Sequence, residues 1–194
     1  MSGSNGPARE QPRWVFAYGS LMWHPGFATP ETTPARLHGW HRAFCIYSEH
    51  YRGTPRRPGL ILGLLPGGSC RGLAHRLPIE TYDAVRRYLI HREIDNDGVY
   101  EETIRPIHLA DGRTVTALVY LADRQHRQFA GKLPLLKAVS LVRHGRGVTG
   151  SNLAYVQSTV GHLRELGLRD RILEELARRA SSSDAQRRRR TQLA

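Results

Sequence analysis

Two short stretches of this sequence carry residues whose types suit chemistry on a carbonyl group. The first is Tyr18-Gly19-Ser20-Leu21, which ends a short apolar run. A glycine at a strand end lets main-chain N–H groups approach a ligand, because no Cβ stands in the way. Successive N–H groups, with the Ser20 hydroxyl, form a site for an anion or a carbonyl oxygen. The alternative is a plain β-turn with Tyr18 and Leu21 in the core, since Gly-Ser is a common turn pair.

The second stretch ends at Glu93, which lies at the end of a predicted amphipathic helix. Glu93 follows Leu89 by four residues, so it continues the apolar face that Tyr82, Val85 and Leu89 form. Burial there would raise the pKa of the carboxyl group, as a general base at neutral pH requires. The alternatives are an ion pair with Arg92 or another arginine, or a solvated helix end.

Other kinds of site are not indicated by the sequence. It has no G-x-S-x-G elbow, P-loop, H-E-x-x-H or Rossmann glycine motif. His38 and His41 are three residues apart in a predicted strand, so they point to opposite faces and predict no metal site. Cys45 and Cys70 lack metal spacing and do not form a disulfide framework, which favours two buried thiols in a reducing cytoplasm.

The elements that would position the two stretches alternate between strand and helix patterns. Strand patterns occupy 14–18, 35–47, 59–66, 70–77 and both arms of a hairpin around Asp111-Gly112. Gly39 marks a bend or bulge in the second strand, and Pro66-Gly67-Gly68-Ser69 predicts a turn. Helical patterns occupy 79–92, 153–166 and 170–179. This order predicts an α+β fold: a small mixed, mainly antiparallel β-barrel with one inserted helix and C-terminal helices.

Charge and composition divide the 194 residues into one domain and two terminal segments. We expect a flexible leader over 1–13, a domain over 14–180 and a basic disordered tail over 181–194. The net charge is +12, but residues 178–194 alone hold six arginines and one aspartate. This distribution predicts weak attraction for anions and no specific nucleic-acid partner. No apolar run is long enough to span a bilayer, and the leader has no signal-peptide core.

Six segments in one order, over about residues 14–177, resemble the ChaC-type γ-glutamylcyclotransferases. The segments are YGSL followed by Trp, GWHRAF, RGTPRRPGLILGLLPGGSCRGLAHRL, YLIHRE with a downstream Gly-x-Tyr, DGRTVTALVYLAD and GVTGSNLAYVQSTVGHLRELGL. The resemblance implies a small mixed barrel with helices. It also implies a lyase that cleaves glutathione to 5-oxoproline and cysteinylglycine without water, metal or organic cofactor.

The resemblance also implies roles for particular residues. Glu93 ends the family's "RE" motif and is implied to be catalytic. The residues implied to bind the γ-glutamyl group or close over it are Ala17, Tyr18, Gly19, Ser20, Leu21, Met22 and Tyr100. Because glutathione is a net anion, Arg52 or Arg56 is a candidate partner for its glycyl carboxylate. Two alternatives stay open: a cyclotransferase acting on other γ-glutamyl amines or dipeptides, and a non-catalytic basic binding module.

Overall fold

Five strands form a closed barrel in the order β1–β3–β2–β4–β5. The computed structural model describes residues 12–95 and 98–191, so the predicted leader lies outside it except for Pro12 and Arg13. The strands are β1 (Trp14–Ala17), β2 (Thr32–Ser48), β3 (Gly59–Arg76), β4 (Tyr100–Leu109) and β5 (Thr114–Ala122). Parallel pairing of β1 with β5 closes the barrel, and the other neighbouring strands are antiparallel. The predicted mixed, mainly antiparallel barrel is therefore confirmed.

Strands β2 and β3 form a long bent ribbon that contains a bulge. The prediction of a turn at Pro66–Ser69 is wrong, because β3 continues through these residues and stays paired with β2. Gly67 and Gly68, with φ of 102° and 68°, lie opposite the single Gly39, with φ of 80°. Two residues facing one make a β-bulge, and positive φ suits glycine. The glycines thus bend the ribbon rather than end the strand, and the bulge predicted at Gly39 is confirmed.

The inserted helix α1 (Tyr82–Ile90) connects β3 to β4 and buries Tyr82, Val85 and Leu89. It begins later than predicted, and Ile79 is exposed. A π-helical turn over His91–Asp95 follows it, so Glu93 lies in a widened turn rather than in the α-helix itself. Such turns add one residue to a helical segment and are frequent at functional sites.

The C-terminal part of the domain is helical. Its elements are α2 (Leu135–His144), a short ribbon of β6 (Arg146–Gly147) and β7 (Gly150–Ser151), α3 (Asn152–Glu165) and α4 (Arg171–Thr191). Ser151 caps α3 by accepting a hydrogen bond from the Ala154 N–H (3.1 Å). Among the helices that the structure describes, none is long and apolar enough to cross a membrane.

Helix α4 continues to Thr191, through most of the segment for which the sequence predicts a disordered tail. The predicted end of the helix, at Arg179, packs against the rest of the domain. Ala180 is fully buried, and Arg143 donates to the carbonyl groups of Arg179 (2.9 Å) and Ala180 (3.3 Å). These contacts hold the backbone of α4 against the rest of the domain up to Ala180.

Helix α3 is joined to β3 by the fully buried amide of Asn152. Its Oδ1 accepts from the Leu60 N–H and its Nδ2 donates to the Leu60 carbonyl, both at 2.7 Å. We expect Asn152→Leu to lower the free energy of unfolding by about 3 kcal/mol, because two buried backbone groups lose their partners. Urea unfolding measures this, with Ser158→Leu on the exposed face of α3 as the control. Equal stability of the two variants would contradict the expectation.

Candidate active site

The loop after β1 and the Glu93 side chain line the same small chamber. The chamber has a volume of about 40 Å³. Its walls come from the loop after β1, from β3, β4 and β5, from the π-helical turn and from α3. The lining residues are Tyr18, Gly19, Ser20, Leu21, Leu62, Glu93, Tyr100, Tyr120 and Tyr155. The structure thus brings together the two stretches that the sequence singles out, although they are about seventy residues apart in the chain.

A larger outer chamber of about 340 Å³ adjoins the inner one and shares Ser20, Glu93, Tyr100 and Tyr155 with it. Arg52 and Arg92 also line it, and two guanidinium groups favour an anionic ligand.

Arg52 is held in place in the wall of this outer chamber. Its Nη1 donates to the Thr149 carbonyl at 2.7 Å, and its guanidinium carbon lies 5.0 Å from the centre of the Tyr155 ring. Arg56, the other candidate for a substrate carboxylate, is exposed. The geometry therefore favours Arg52 over Arg56 for that role.

The loop after β1 folds into one 3₁₀ turn over Ser20–Met22, closed by a hydrogen bond from the Met22 N–H to the Gly19 carbonyl (2.9 Å). N–H groups that begin a helical turn have no partner within that turn, so they are available to a ligand. A Cβ on Gly19 would lie 3.5 Å from Cδ1 of Leu62, which lines the chamber. The absence of a side chain at Gly19 therefore leaves space in the chamber.

The outer two positions of the predicted substrate loop lie elsewhere. Ala17 is fully buried at the end of β1, and Met22 packs in the hydrophobic core. They are core residues because the strand and the 3₁₀ turn on either side of Gly19 direct their side chains into the apolar interior. The part of the loop that lines the chamber is therefore Tyr18–Leu21.

Glu93 is both largely buried and paired with a cation. Its side chain is 16% exposed, and Oε1 lies 3.1 Å from Nε of Arg92. Burial raises the pKa of Glu93 above its ordinary value, while Arg92 acts in the opposite direction. The buried carboxylate and the ion pair with Arg92, which the sequence leaves as alternatives, occur together. A carboxylate with a raised pKa is a better proton acceptor at neutral pH.

Arg92 connects the π-helical turn to the loop after β1. Its Nη2 donates to Oγ of Ser20 at 2.9 Å. Its Nη1 donates to the His24 carbonyl at 2.7 Å and to the Tyr88 hydroxyl at 2.8 Å. These contacts fix the guanidinium group beside Glu93, and they fix the Ser20 hydroxyl at the boundary of the two chambers.

Tyrosines line the inner chamber and stay protonated. The Tyr18 hydroxyl donates to the Tyr120 carbonyl at 2.8 Å, and the Tyr100 hydroxyl donates to the Leu62 carbonyl at 2.6 Å. Burial is the main cause that raises the pKa of Tyr18 and Tyr100 well above the ordinary value and that of Tyr155 to about 12. These hydroxyls are therefore neutral at neutral pH, and Glu93 is the lining side chain suited to accept a proton.

Sequence reasoning missed Leu62, Tyr120, Tyr155 and Arg92 as site residues. Tyr120 and Tyr155 each stand inside an apolar stretch, ALVYLA and SNLAYV. A buried tyrosine hydroxyl needs a polar partner or a cavity, so a tyrosine within an apolar stretch could have indicated that these two residues line a site. Leu62 carried none, since it resembles any other core residue of its strand.

The barrel with its helices is similar to solved structures of one enzyme class. A selenomethionine-labelled γ-glutamylcyclotransferase specific to glutathione from yeast matches with a TM-score of 0.79. The match covers 87% of this chain and 95% of that one, at 21% sequence identity. The fold is therefore of the γ-glutamylcyclotransferase type.

Sequence comparisons assign the chain to a family within that class. The family model for ChaC-like proteins matches residues 13–182, so the chain belongs to the ChaC-like family, which confirms the resemblance seen in its motifs. The glutathione-specific γ-glutamylcyclotransferase of Escherichia coli K12 is 38% identical over 167 residues, covering 86% of this chain and 72% of that protein. The protein of the same name in Schizosaccharomyces pombe is 31% identical over 172 residues, covering 79% of this chain and 83% of that protein.

Proposed function

We propose that this protein cleaves the γ-glutamyl bond of glutathione by intramolecular aminolysis, giving 5-oxoproline and cysteinylglycine. The observation that carries the proposal is the shared chamber of Glu93 and the Tyr18–Leu21 loop. The names of the E. coli and S. pombe relatives support glutathione as the substrate. The proposed reaction uses neither a metal nor an organic cofactor.

Glu93 is proposed to move the protons of the reaction. The α-amino group of the γ-glutamyl unit is mostly ammonium at neutral pH, and ammonium cannot attack a carbonyl carbon. Glu93 accepts one of its protons, and the free amine then forms the C–N bond to the γ-carbonyl carbon and closes the ring. Glu93 donates that proton to the departing cysteinyl nitrogen as its C–N bond breaks. Glu93 then accepts a second proton, from the nitrogen of the new ring, and passes it to the amine of cysteinylglycine, which leaves as an ammonium.

The loop after β1 is proposed to stabilise negative charge. The γ-carbonyl oxygen becomes an oxyanion as the ring closes, and a preorganised N–H donor to such an oxygen contributes about 3–4 kcal/mol. N–H groups of Gly19, Ser20 and Leu21 are the available donors. The small volume around the tyrosines also holds the substrate folded for attack and leaves little space for water, which favours the lactam over hydrolysis.

Arg52 is proposed to bind the glycyl carboxylate of glutathione from the outer chamber. Replacement by methionine should raise KM for glutathione about tenfold, the effect of losing one charge-assisted hydrogen bond, with kcat nearly unchanged. Steady-state kinetics with glutathione and with its glycyl ethyl ester measure this. The ester lacks the charge, so its KM should be the same for wild type and Arg52→Met. Arg56→Met at the exposed neighbour is the matched control; an equal effect of both substitutions would refute the assignment.

The activity itself is tested by incubating purified protein with glutathione and separating the products by mass spectrometry. We expect equal amounts of 5-oxoproline and cysteinylglycine. γ-Glutamyl-alanine, run in parallel, should be a poorer substrate because it lacks the cysteinylglycine part that the outer chamber accommodates. Equal kcat/KM for the two substrates would favour a cyclotransferase of broad γ-glutamyl specificity. Absence of 5-oxoproline from both would exclude the proposed reaction.

The catalytic unit is proposed to be the domain over residues 14–180. Each residue that lines the two chambers falls within it. Removal of residues 183–194 should therefore leave kcat and KM for glutathione within about twofold of wild type, since substitutions outside a site usually have small effects. A large loss of turnover would show that the end of α4 takes part in the activity.

We also propose a cytoplasmic location. Cys45 and Cys70 are both free and buried, as is common for proteins kept in a reducing compartment. Burial raises the pKa of Cys45 to about 12, so its thiol is not ionised at neutral pH. Cell fractionation with an antibody against the protein tests the location.

A further inference from the structure

Arg42, on β2, contacts the loop after β1 from outside the inner chamber. Its side chain is only 6% exposed, and its Nε donates to the Tyr18 carbonyl at 2.6 Å. Its Nη2 donates to the Arg71 carbonyl at 2.8 Å, and its Nη1 lies 3.9 Å from Oδ2 of Asp170. Asp170 is itself fixed at the start of α4, because its Oδ1 accepts from the Leu173 N–H at 3.2 Å. The guanidinium group is therefore held by three partners at once.

The contact with Tyr18 fixes the direction of one peptide group. In a trans peptide the carbonyl and the following N–H point to opposite sides, and the described residues contain no cis peptide bond. With the Tyr18 carbonyl turned towards Arg42, the N–H of Gly19 is turned away from it. Gly19 lines the inner chamber, so a hydrogen bond outside the chamber sets the orientation of a donor at its wall.

We propose that Arg42 is a positioning residue, which keeps the Gly19 N–H aimed at the γ-carbonyl oxygen of the substrate by holding the Tyr18 carbonyl. The inference rests on the proposed function. Without Arg42 the Tyr18–Gly19 peptide is free to rotate, and a rotated peptide presents its carbonyl oxygen where the oxyanion forms. The planar fork of arginine suits this task because it holds several acceptors in a fixed geometry, which a lysine ammonium does not.

The test compares Arg42→Ala and Arg42→Lys with wild type. Both variants should lose about 10–100-fold in kcat/KM for glutathione, somewhat less than the loss of an oxyanion donor itself. Millimolar guanidinium should restore much of the activity of Arg42→Ala by entering the vacated site, whereas sodium chloride and methylammonium should not. Arg71→Ala, which removes an exposed side chain beside the contact, should behave like wild type.

A second readout is independent of turnover. In protein labelled with ¹⁵N-glycine, the Gly19 amide resonance should shift in Arg42→Ala and return towards its wild-type position with guanidinium. Wild-type kinetics in Arg42→Ala, or a loss of activity that guanidinium does not relieve in folded protein, would overturn the positioning role. If wild type and Arg71→Ala release no 5-oxoproline, the proposed function fails, and the amide resonance alone decides whether Arg42 orients the peptide.

Discussion

Replacing Glu93 by glutamine should lower kcat for 5-oxoproline release by about 10²–10⁴-fold, the usual contribution of a general acid–base. The amide has the same shape as the carboxyl group but cannot accept the ammonium proton. Binding of glutathione should persist, because the loop after β1 and Arg52 are unchanged. Turnover is measured by 5-oxoproline formation and binding by calorimetry. Near-full turnover by Glu93→Gln would exclude Glu93 as the base.

The stability of Glu93→Gln provides a control with a definite sign. Burial raises the pKa of Glu93 in the folded state above its unfolded value. The stability that the Glu93 carboxyl group contributes to the folded protein is therefore fully present below its unfolded pKa, and it is lost as the pH rises through its folded pKa. The variant should then be at least as stable as wild type at neutral pH, and this advantage should disappear in acid. Glu101→Gln, at an exposed position of β4, should change neither turnover nor stability.

Replacing Arg92 by methionine should have the second large effect. The variant loses the charged hydrogen bond to Ser20 and the ion pair with Glu93, so kcat/KM at neutral pH should fall about 10–100-fold. Because Arg92 lowers the pKa of Glu93, its removal should raise that pKa further. The acid limb of the pH profile of kcat/KM, where the base becomes protonated, should therefore move to higher pH.

The matched control for Arg92 is Arg87→Met, which removes an exposed guanidinium group one turn earlier on α1. Its pH profile should overlay that of wild type. If Arg92→Met shows an unshifted acid limb, Glu93 is not the group whose protonation limits the reaction.

Much of the fold follows from local sequence patterns. The short strand before Tyr18, the Asp111-Gly112 hairpin and the apolar face of α1 are confirmed close to their predicted positions. In each case the period of apolar residues and the turn chemistry agree with the tertiary packing.

The predictions from sequence fail where contacts with residues distant in the chain decide the local conformation. Pro66-Gly67-Gly68-Ser69 has the chemistry of a turn, but its pairing with β2 converts it into a bulge. The π-helical turn around Glu93 has no signal in the residue order. Tyr120 and Tyr155 reach the chamber only because β5 and α3 pack around the closed barrel, which no local pattern specifies.

Cleavage of glutathione by wild-type protein in H₂¹⁸O, with mass analysis of the γ-glutamyl product, tests most directly whether the substrate's own amine is the nucleophile. Attack by the substrate's own amine predicts 5-oxoproline without ¹⁸O, at the rate at which cysteinylglycine appears. Release of free glutamate carrying ¹⁸O in its γ-carboxyl group would mean that water is the nucleophile, and it would contradict ring closure in a chamber built from Glu93 and the loop after β1.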